Sequence, residues 1–167
     1  MNALIHIVTG VGVAIAVTDT KEIKTKKEII KTAFIGFFIA IVSHGLLDYA
    51  PHCYPINSKI DFIGSLLALI LLTFFCVKTF RLIMFNCLIG AVLPDVIDLL
   101  PSILNKQFGL NLPIYGKMFP WHWKEFSGSM YGTDCLVFNI NIGMVLLCIM
   151  GILILRKADL KEFYKRK

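Results

Sequence analysis

Five long apolar runs occupy most of this sequence, and they constrain the fold more than any other feature. In approximate bounds the runs cover 3–17, 32–50, 60–77, 82–104 and 136–155. About 20 predominantly apolar residues in a helix cross the hydrocarbon core of a bilayer, and a helix pairs its own backbone groups where no water can. The runs therefore predict an all-α polytopic membrane helix bundle of about five transmembrane helices.

The composition agrees with this class. Hydrophobic residues make up 57% of the 167 residues and charged residues only 17%, which is far from the balance of a soluble domain. The length suffices for one helical bundle, so we expect a single transmembrane domain over residues 1–167. Its longest non-spanning piece is the aromatic-rich segment 105–134, which is expected to lie outside the membrane.

Basic residues predict the orientation of the bundle. Cytoplasmic loops and tails are enriched in Lys and Arg, and one side of the expected topology carries thirteen of the 17 such residues. These are Lys21, Lys24, Lys26, Lys27, Lys31, Lys78, Arg81, Arg156, Lys157, Lys161, Lys165, Arg166 and Lys167. The bias places the N-terminus outside and the C-terminus in the cytoplasm of a plasma (inner) membrane protein. Because these basic residues are accounted for as the signal that keeps loops and the tail in the cytoplasm, no nucleic-acid partner is expected.

The stretch SHGLLDYAPH places His44, Asp48 and His52 four residues apart near the outer end of the second run. By helix rise, His44 and Asp48 lie roughly 18 and 24 Å from its cytoplasmic start and share one helical face. A carboxylate at membrane depth is costly and marks a candidate functional site. The alternative is a structural His–Asp hydrogen bond, and for His52 an ordinary position at the interface.

The stretch GAVLPDVIDLLP places Asp95 and Asp98 on one face at a similar depth of the fourth run. Pro94 is expected to break the helix just before them, which at membrane depth is tolerated mainly around a cavity. The alternative for Asp95 is capping of a new helix after this break.

His6, at the outer end of the first run, and His122, in the outer segment, complete the set. All four histidines and three deep aspartates therefore collect near the outer face, although the orientation was derived from Lys and Arg alone. For His6 the alternative is a structural hydrogen-bonding role.

Imidazole and carboxylate together suit a divalent metal, with zinc the first choice and manganese or iron as alternatives, in one or two ions. The candidate ligands are His6, His44, Asp48, His52, Asp95 and His122. Asp98 and Lys124 are the candidate catalytic residues. One of Asp95 and Asp98, if it is not a ligand, is expected to act as general base, and Lys124 to neutralise charge on a phosphate. Asp134 and Asn139 are candidates to support the ligands from behind, or to join helices by hydrogen bonds.

The outer segment has two interpretations. Its aromatic residues can form an interfacial belt, or the segment can act as a lid that brings in His122 and admits a lipid from the side. Cys53 and Cys135 are both expected outside, where a disulfide is permitted.

The order of His6, SHGLLDYAPH, GAVLPDVIDLLP and a later histidine resembles the small polytopic proteins of bacteria and archaea described as membrane-bound metal-dependent hydrolases. The resemblance covers most of the chain, and the pattern His-x-x-x-Asp-x-x-x-His, with Pro before the last His, is its most specific part. It implies that His44, Asp48, His52, Asp95 and Asp98 belong to a metal site. The chain departs from that family where Leu99 follows Asp98 and where only one histidine occurs in the later block.

Three functions remain compatible with these residues. The first is hydrolysis of a phosphoester in a membrane lipid at the outer face. The second is an accessory or structural membrane subunit that a metal stabilises. The third is transport of a metal or proton, which needs polar groups along a path across the membrane; the inner halves of the runs are almost entirely apolar and argue against it. Oligomeric state has no signature in the sequence.

Overall fold

The computed structural model of the protein describes residues 2–54, 56–130 and 136–165, and all side chains of these ranges except those of 136–139. Within these ranges the regular structure is helical, with one isolated β-bridge between His52 and Ser129. In chain order the helices are α1 (Ala3–Val17), α2 (Lys26–Tyr49), α3 (Ser58–Phe75), α4 (Arg81–Asp98), α5 (Leu100–Phe108), a 3-10 turn (Pro120–His122), α6 (Leu136–Leu155) and α7 (Lys157–Tyr164). The predicted all-α class is confirmed.

Length and composition support two to four membrane crossings in the described part of the chain. Helices α2 and α3 each suffice alone, while α4 with α5, bent by 64°, and residues 140–155 with α7, bent by 81°, each count as one crossing only if taken together. Helix α1 has 15 residues, or about 22 Å, which is short for a hydrocarbon core of about 30 Å. All five apolar runs are therefore helical, but fewer than five meet the length of a span.

Helix α2 begins six residues before the apolar run predicted, because a polar signal sets its start. The Thr25 hydroxyl accepts from the Glu28 N–H at 3.2 Å, and the Glu28 carboxylate accepts from the Thr25 N–H at 2.8 Å. This reciprocal capping box satisfies two backbone donors that the first turn leaves open.

The expected helix break at Pro94 is wrong. Helix α4 continues through Pro94 to Asp98. The chain bends instead at Leu99, where Pro101 has no N–H for the helical ladder and its ring excludes the carbonyl of residue 97. Pro101 in turn occupies the first turn of α5, a position that proline favours. The alternative that Asp95 caps a new helix is therefore wrong.

Helix α4 lies at the centre of the bundle, where glycines allow close crossings. A Cβ added at Gly90 would lie 2.4 Å from the Phe37 carbonyl oxygen of α2. One added at Gly10 of α1 would lie 3.0 Å from the Cys87 carbonyl oxygen of α4. Small residues at such crossings are a common way to pack helices in membranes, and here they bring α1 and α2 against the same central helix.

The outer segment between α5 and α6 folds back onto the end of α2. The Gly128 N–H donates to the Asp48 carbonyl at 2.8 Å, and the His52 N–H donates to the Gly128 carbonyl at 2.8 Å. A Cβ at Gly128 would lie 2.1 Å from the Ala50 carbonyl oxygen, so only glycine fits this approach. The fold-back places the 3-10 turn, and with it His122, over the polar end of the bundle.

At the opposite end, α7 packs beneath the bundle. The Phe163 ring stacks on Phe80 with centroids 4.9 Å apart, and the Val77 N–H donates to the Phe163 carbonyl at 2.7 Å. The Asp159 carboxylate accepts from the Thr20 N–H and hydroxyl at 2.9 and 2.7 Å. These contacts tie α7 to the turn between α3 and α4 and to the loop after α1.

Candidate metal centre

Four of the predicted ligands converge at the polar end of the bundle. One ligand atom from each of His44, Asp48, Asp95 and His122 lies within 4.8 Å of the other three. We call these four residues the metal cluster, since they are able to hold an ion. His44 and Asp48 come from α2, Asp95 from α4 and His122 from the 3-10 turn, so three separate parts of the chain meet there.

The orientation of the two imidazoles is fixed by the nitrogen that faces away from the cluster. His44 Nδ1 lies 2.6 Å from the Ala91 carbonyl oxygen, which can only accept, so Nδ1 carries the proton. His122 Nδ1 lies 2.9 Å from Asp98 Oδ2 and donates to it. In a neutral ring the second nitrogen is then an acceptor. Both Nε2 atoms therefore present lone pairs to the cluster.

Those lone pairs meet carboxylate oxygens, which also only accept. His44 Nε2 lies 3.1 Å from Asp48 Oδ2 and 3.6 Å from Asp95 Oδ1. His122 Nε2 lies 3.0 and 3.2 Å from the same two oxygens. Four acceptors can approach this closely only if protons or a bound cation lie between them.

Burial makes this demand for positive charge stronger. His44 is 1% exposed, Asp48 2% and His122 4%. Burial alone would lower the pKa of His122, which lies outside the spanning helices, but its bonds to Asp48, Asp95 and Asp98 raise that pKa to about 9. Without a metal, His122 would carry a second proton, on Nε2, and a divalent cation bound at Nε2 would replace that proton.

Asp98 supports His122 and the loop that carries it. Besides the His122 bond, its carboxylate accepts from the Met118 N–H at 2.8 Å and the Phe119 N–H at 2.9 Å. Such carboxylate–histidine pairs set ring orientation at metal sites. Asp98, one of the two candidate general bases, is thus engaged by three donors.

His6 lies beside the metal cluster. Its ring stacks on that of His44 with centroids 3.8 Å apart and planes 17° apart, and its Nε2 lies 3.2 Å from Asp48 Oδ1. It is fully buried, and its Nδ1 has no hydrogen bond among the described residues. Asp48 therefore presents one oxygen to His6 and the other to the metal cluster.

His52, the remaining predicted ligand, does not join the four converging residues. Its Nδ1 lies 2.8 Å from the Ala50 carbonyl oxygen, and its Nε2 lies 3.1 and 3.2 Å from the hydroxyls of Tyr54 and Ser129. These contacts place His52 in the junction between α2 and the outer segment.

Four other sequence predictions concern the same end of the molecule. Cys53 is disulfide-bonded in the structure, whereas Cys135, its expected partner, lies outside the described residues, as does Asp134. Asn139 lies in α6, but its side chain is outside the described part. The neighbouring Asn141 amide donates to the Pro51 carbonyl at 2.8 Å.

Sequence reasoning missed the residues that hold the 3-10 turn in place. The Trp121 ring lies where a side chain at Gly45 would be, since a Cβ there would lie 2.7 Å from the ring. The Lys117 ammonium donates to the His122 carbonyl at 2.5 Å. A glycine between His44 and Asp48 was the available signal that a bulky group packs on this face of α2.

A cavity of about 1170 Å³ adjoins the metal cluster. Asp95 and His122 form part of its wall, and the polar side chains at the same end include three lysines, Lys106, Lys117 and Lys124. Below them the wall is apolar and follows α3 and α4. The cavity therefore joins metal-binding, basic and apolar surfaces in one space.

No protein-family model, curated protein or solved structure matches this chain. Its chemistry has to be argued from its own residues.

Proposed function

We propose that this protein is a membrane-embedded, metal-dependent hydrolase that cleaves a phosphoester of a membrane lipid at the outer face. The observation that carries the proposal is that the metal cluster borders a cavity with three lysines in its wall. Lysine ammonium groups bind phosphate as point charges, so a phosphate in this cavity would meet lysines and the metal cluster together. The resemblance of SHGLLDYAPH to membrane-bound metal-dependent hydrolases agrees with this function.

The donor set favours zinc, with manganese or iron as alternatives. Two imidazoles and two carboxylates are ligands that zinc accepts in tetrahedral sites. A divalent ion bound there would polarise a phosphoryl oxygen and lower the pKa of a coordinated water.

The chain's own residues would position the reacting groups. Asp98 fixes the His122 ring so that Nε2 faces the cluster. In the hydrolase, His44, Asp48 and His122 would hold the ion, and Asp95, whose side chain is 16% exposed against 3% for Asp48, would accept the proton of an attacking water from the cavity side. Lys124 is placed in the cavity wall to neutralise charge that builds on the phosphate. We assign Asp98 to positioning, because three N–H donors already engage it.

The location at a membrane follows from the outer surfaces of α2 and α3. Large apolar side chains there are exposed, among them Phe34 at 63%, Leu46 at 67% and Ile60 at 64%. Lipid contact explains such exposure, and the Lys and Arg bias orients the metal cluster toward the outer leaflet. A lipid headgroup at that depth would reach the cluster without crossing the membrane.

A structural role for the metal is the second candidate, and the ligand count favours it. Structural zinc sites are closed by four protein ligands, whereas catalytic ones commonly keep three and an open position. The metal cluster offers four residues, so all four can close around an ion. In that case the metal would stabilise the bundle without turnover.

A hydrolysis assay separates the two candidates. Detergent-solubilised protein, loaded with zinc or manganese, is offered phosphatidate and other phospholipids, and released phosphate or headgroup is measured with and without chelator. We expect chelator-sensitive turnover that falls at least a hundredfold in Asp95→Asn. Asp159→Asn, which alters a carboxylate at the opposite end, should retain it. Absence of turnover in folded, metal-loaded protein would favour the structural role.

A further inference from the structure

The apolar part of the cavity is a slot between two antiparallel helices. On α3 its wall is formed by Phe62, Leu66 and Leu69, and on α4 by Ile89, Val92 and Val96, together with residues of α1 and α5. The spacing of each set places it on one helical face. From Asp61 to Leu69 this α3–α4 slot runs about 12 Å along α3.

The slot is open at its edges, and α3 buries few of its side chains. Leu66 is 48% exposed and Val96 43%, although both line the cavity. Only Asp61 and Ser65 of α3 are buried. A chain-like molecule lying in the membrane can therefore approach the slot sideways between α3 and α4.

Two buried polar groups also line this cavity, one on α3 and one just before α1. Ser65 is 6% exposed and Asn2 2%, both line the cavity, and neither Ser65 Oγ nor Asn2 Oδ1 has a hydrogen-bond partner among the described residues. Asp61, one turn nearer the mouth, is already engaged by the Ala3 and Leu4 N–H groups at 2.8 and 3.1 Å. Buried polar groups normally have partners, so a ligand that supplies one would complete the site.

The order of groups along the cavity specifies the kind of lipid. Lys106 lies on α5, which contacts the start of α3 through Gln107 and Ser58, and Lys117 and Lys124 lie on the outer segment. Ser65 follows two turns into α3, and the apolar wall continues from Leu66 to Leu69. A glycerophospholipid has the same order, with a phosphate, ester carbonyls that accept hydrogen bonds, and acyl chains. An isoprenoid phosphate passes directly from phosphate to hydrocarbon and would leave Ser65 unpaired.

We infer that the α3–α4 slot binds an acyl chain of a glycerophospholipid, with an ester carbonyl accepting from Ser65 and the phosphate among Lys106, Lys117 and Lys124. The inference rests on the proposed function, since it names the substrate class of that site. It can be tested by binding alone, in the presence of chelator, so that it does not depend on turnover.

The first comparison isolates the ester carbonyl. Native mass spectrometry of the solubilised protein would measure the affinity for dimyristoyl phosphatidate, for its ether-linked analogue without carbonyls, and for a long isoprenoid phosphate. We expect the wild type to prefer the ester by about two- to tenfold, the contribution of one neutral hydrogen bond. Ser65→Ala removes only an unpaired hydroxyl and should abolish that preference while leaving ether-lipid affinity unchanged.

The second comparison isolates the slot. Leu66→Trp fills it from α3, and Val96→Trp fills it from α4, so a folding failure of one still leaves the other. Leu67→Trp is the matched control, because Leu67 is 54% exposed and does not line the cavity. We expect phosphatidate to bind at least tenfold more weakly to the two slot variants. The control should bind it with the affinity of the wild type.

The outcomes separate the slot from the chemistry. Equal affinity for ester and ether lipids, tighter binding of the isoprenoid phosphate, or unchanged binding in both slot variants would overturn the inference. Ester-selective binding without turnover by metal-loaded protein would confirm the slot and contradict the hydrolase.

Discussion

At the scale of single residues, the metal cluster depends on which ring nitrogen carries the proton. The Ala91 carbonyl and the Asp98 carboxylate each accept a hydrogen bond from an Nδ1–H group, and this directs both Nε2 lone pairs inward. Residue types were readable in the sequence, but these two partners are 47 and 24 positions away from the histidines they orient. The sequence pattern therefore predicted the residues of the metal cluster, but not the groups that orient their rings.

Asp98→Asn tests this positioning. The amide has no charge and only one acceptor oxygen, whereas the carboxylate accepts from three N–H groups with two oxygens. The His122 ring should therefore turn more freely. We expect the affinity for zinc, measured by competition with a chromophoric chelator, to fall about 10- to 100-fold. Asp159→Asn, a carboxylate that also accepts a backbone N–H, should not change it. Equal zinc affinity of Asp98→Asn and wild type would remove Asp98 from the site.

At the scale of elements, the fold-back of the outer segment brings His122 to the helices. Sequence reasoning placed helices well where apolar runs set their limits, as in α1 and α6, whose bounds agree with the prediction. It failed where a polar capping box extends α2 to Lys26 and where Pro101, rather than Pro94, bends the chain. The glycines at 45 and 128 signalled close packing, but the sequence did not show that Trp121 and Ala50 are the partners, because both contacts join segments distant in sequence.

Gly128→Ala tests the fold-back. A methyl group would lie 2.1 Å from the Ala50 carbonyl oxygen, so the segment has to move and release the bonds to Asp48 and His52. We expect the free energy of unfolding to fall by about 1–3 kcal/mol, seen as a lower midpoint in thermal unfolding, together with weaker zinc binding. Gly116→Ala is the matched control, since no atom lies within 4 Å of a Cβ there. Similar midpoints for both variants would show that the junction is not tightly packed.

At the scale of the whole molecule, the two ends of the bundle differ in chemistry. One end gathers the metal cluster and cavity, and the other holds α7 with Phe163 buried against Phe80. Most Lys and Arg residues lie on the side opposite the metal cluster, and this bias predicts that the cluster end faces outward. This orientation decides whether a lipid of the outer leaflet can reach the site.

Cysteine labelling tests the orientation. In a background without Cys76, Cys87 and Cys148, which are free thiols, Tyr115→Cys should react with an impermeant reagent in intact cells. Tyr115 is 79% exposed in the outer segment. Lys24→Cys, between α1 and α2, should react only after the membrane is opened. Labelling of Lys24→Cys from outside would contradict the predicted orientation and would show that the site lies at the cytoplasmic face.

The most direct measurement is the metal content of the purified protein after equilibration with zinc and removal of unbound ions. The account predicts at least one bound ion per chain in the wild type and less than a tenth of that in Asp48→Asn and His122→Gln. His52→Gln should retain its metal, because the His52 nitrogens bond to Ala50, Tyr54 and Ser129. Full occupancy in both cluster variants, or a folded wild type that binds no divalent transition metal, would contradict the account.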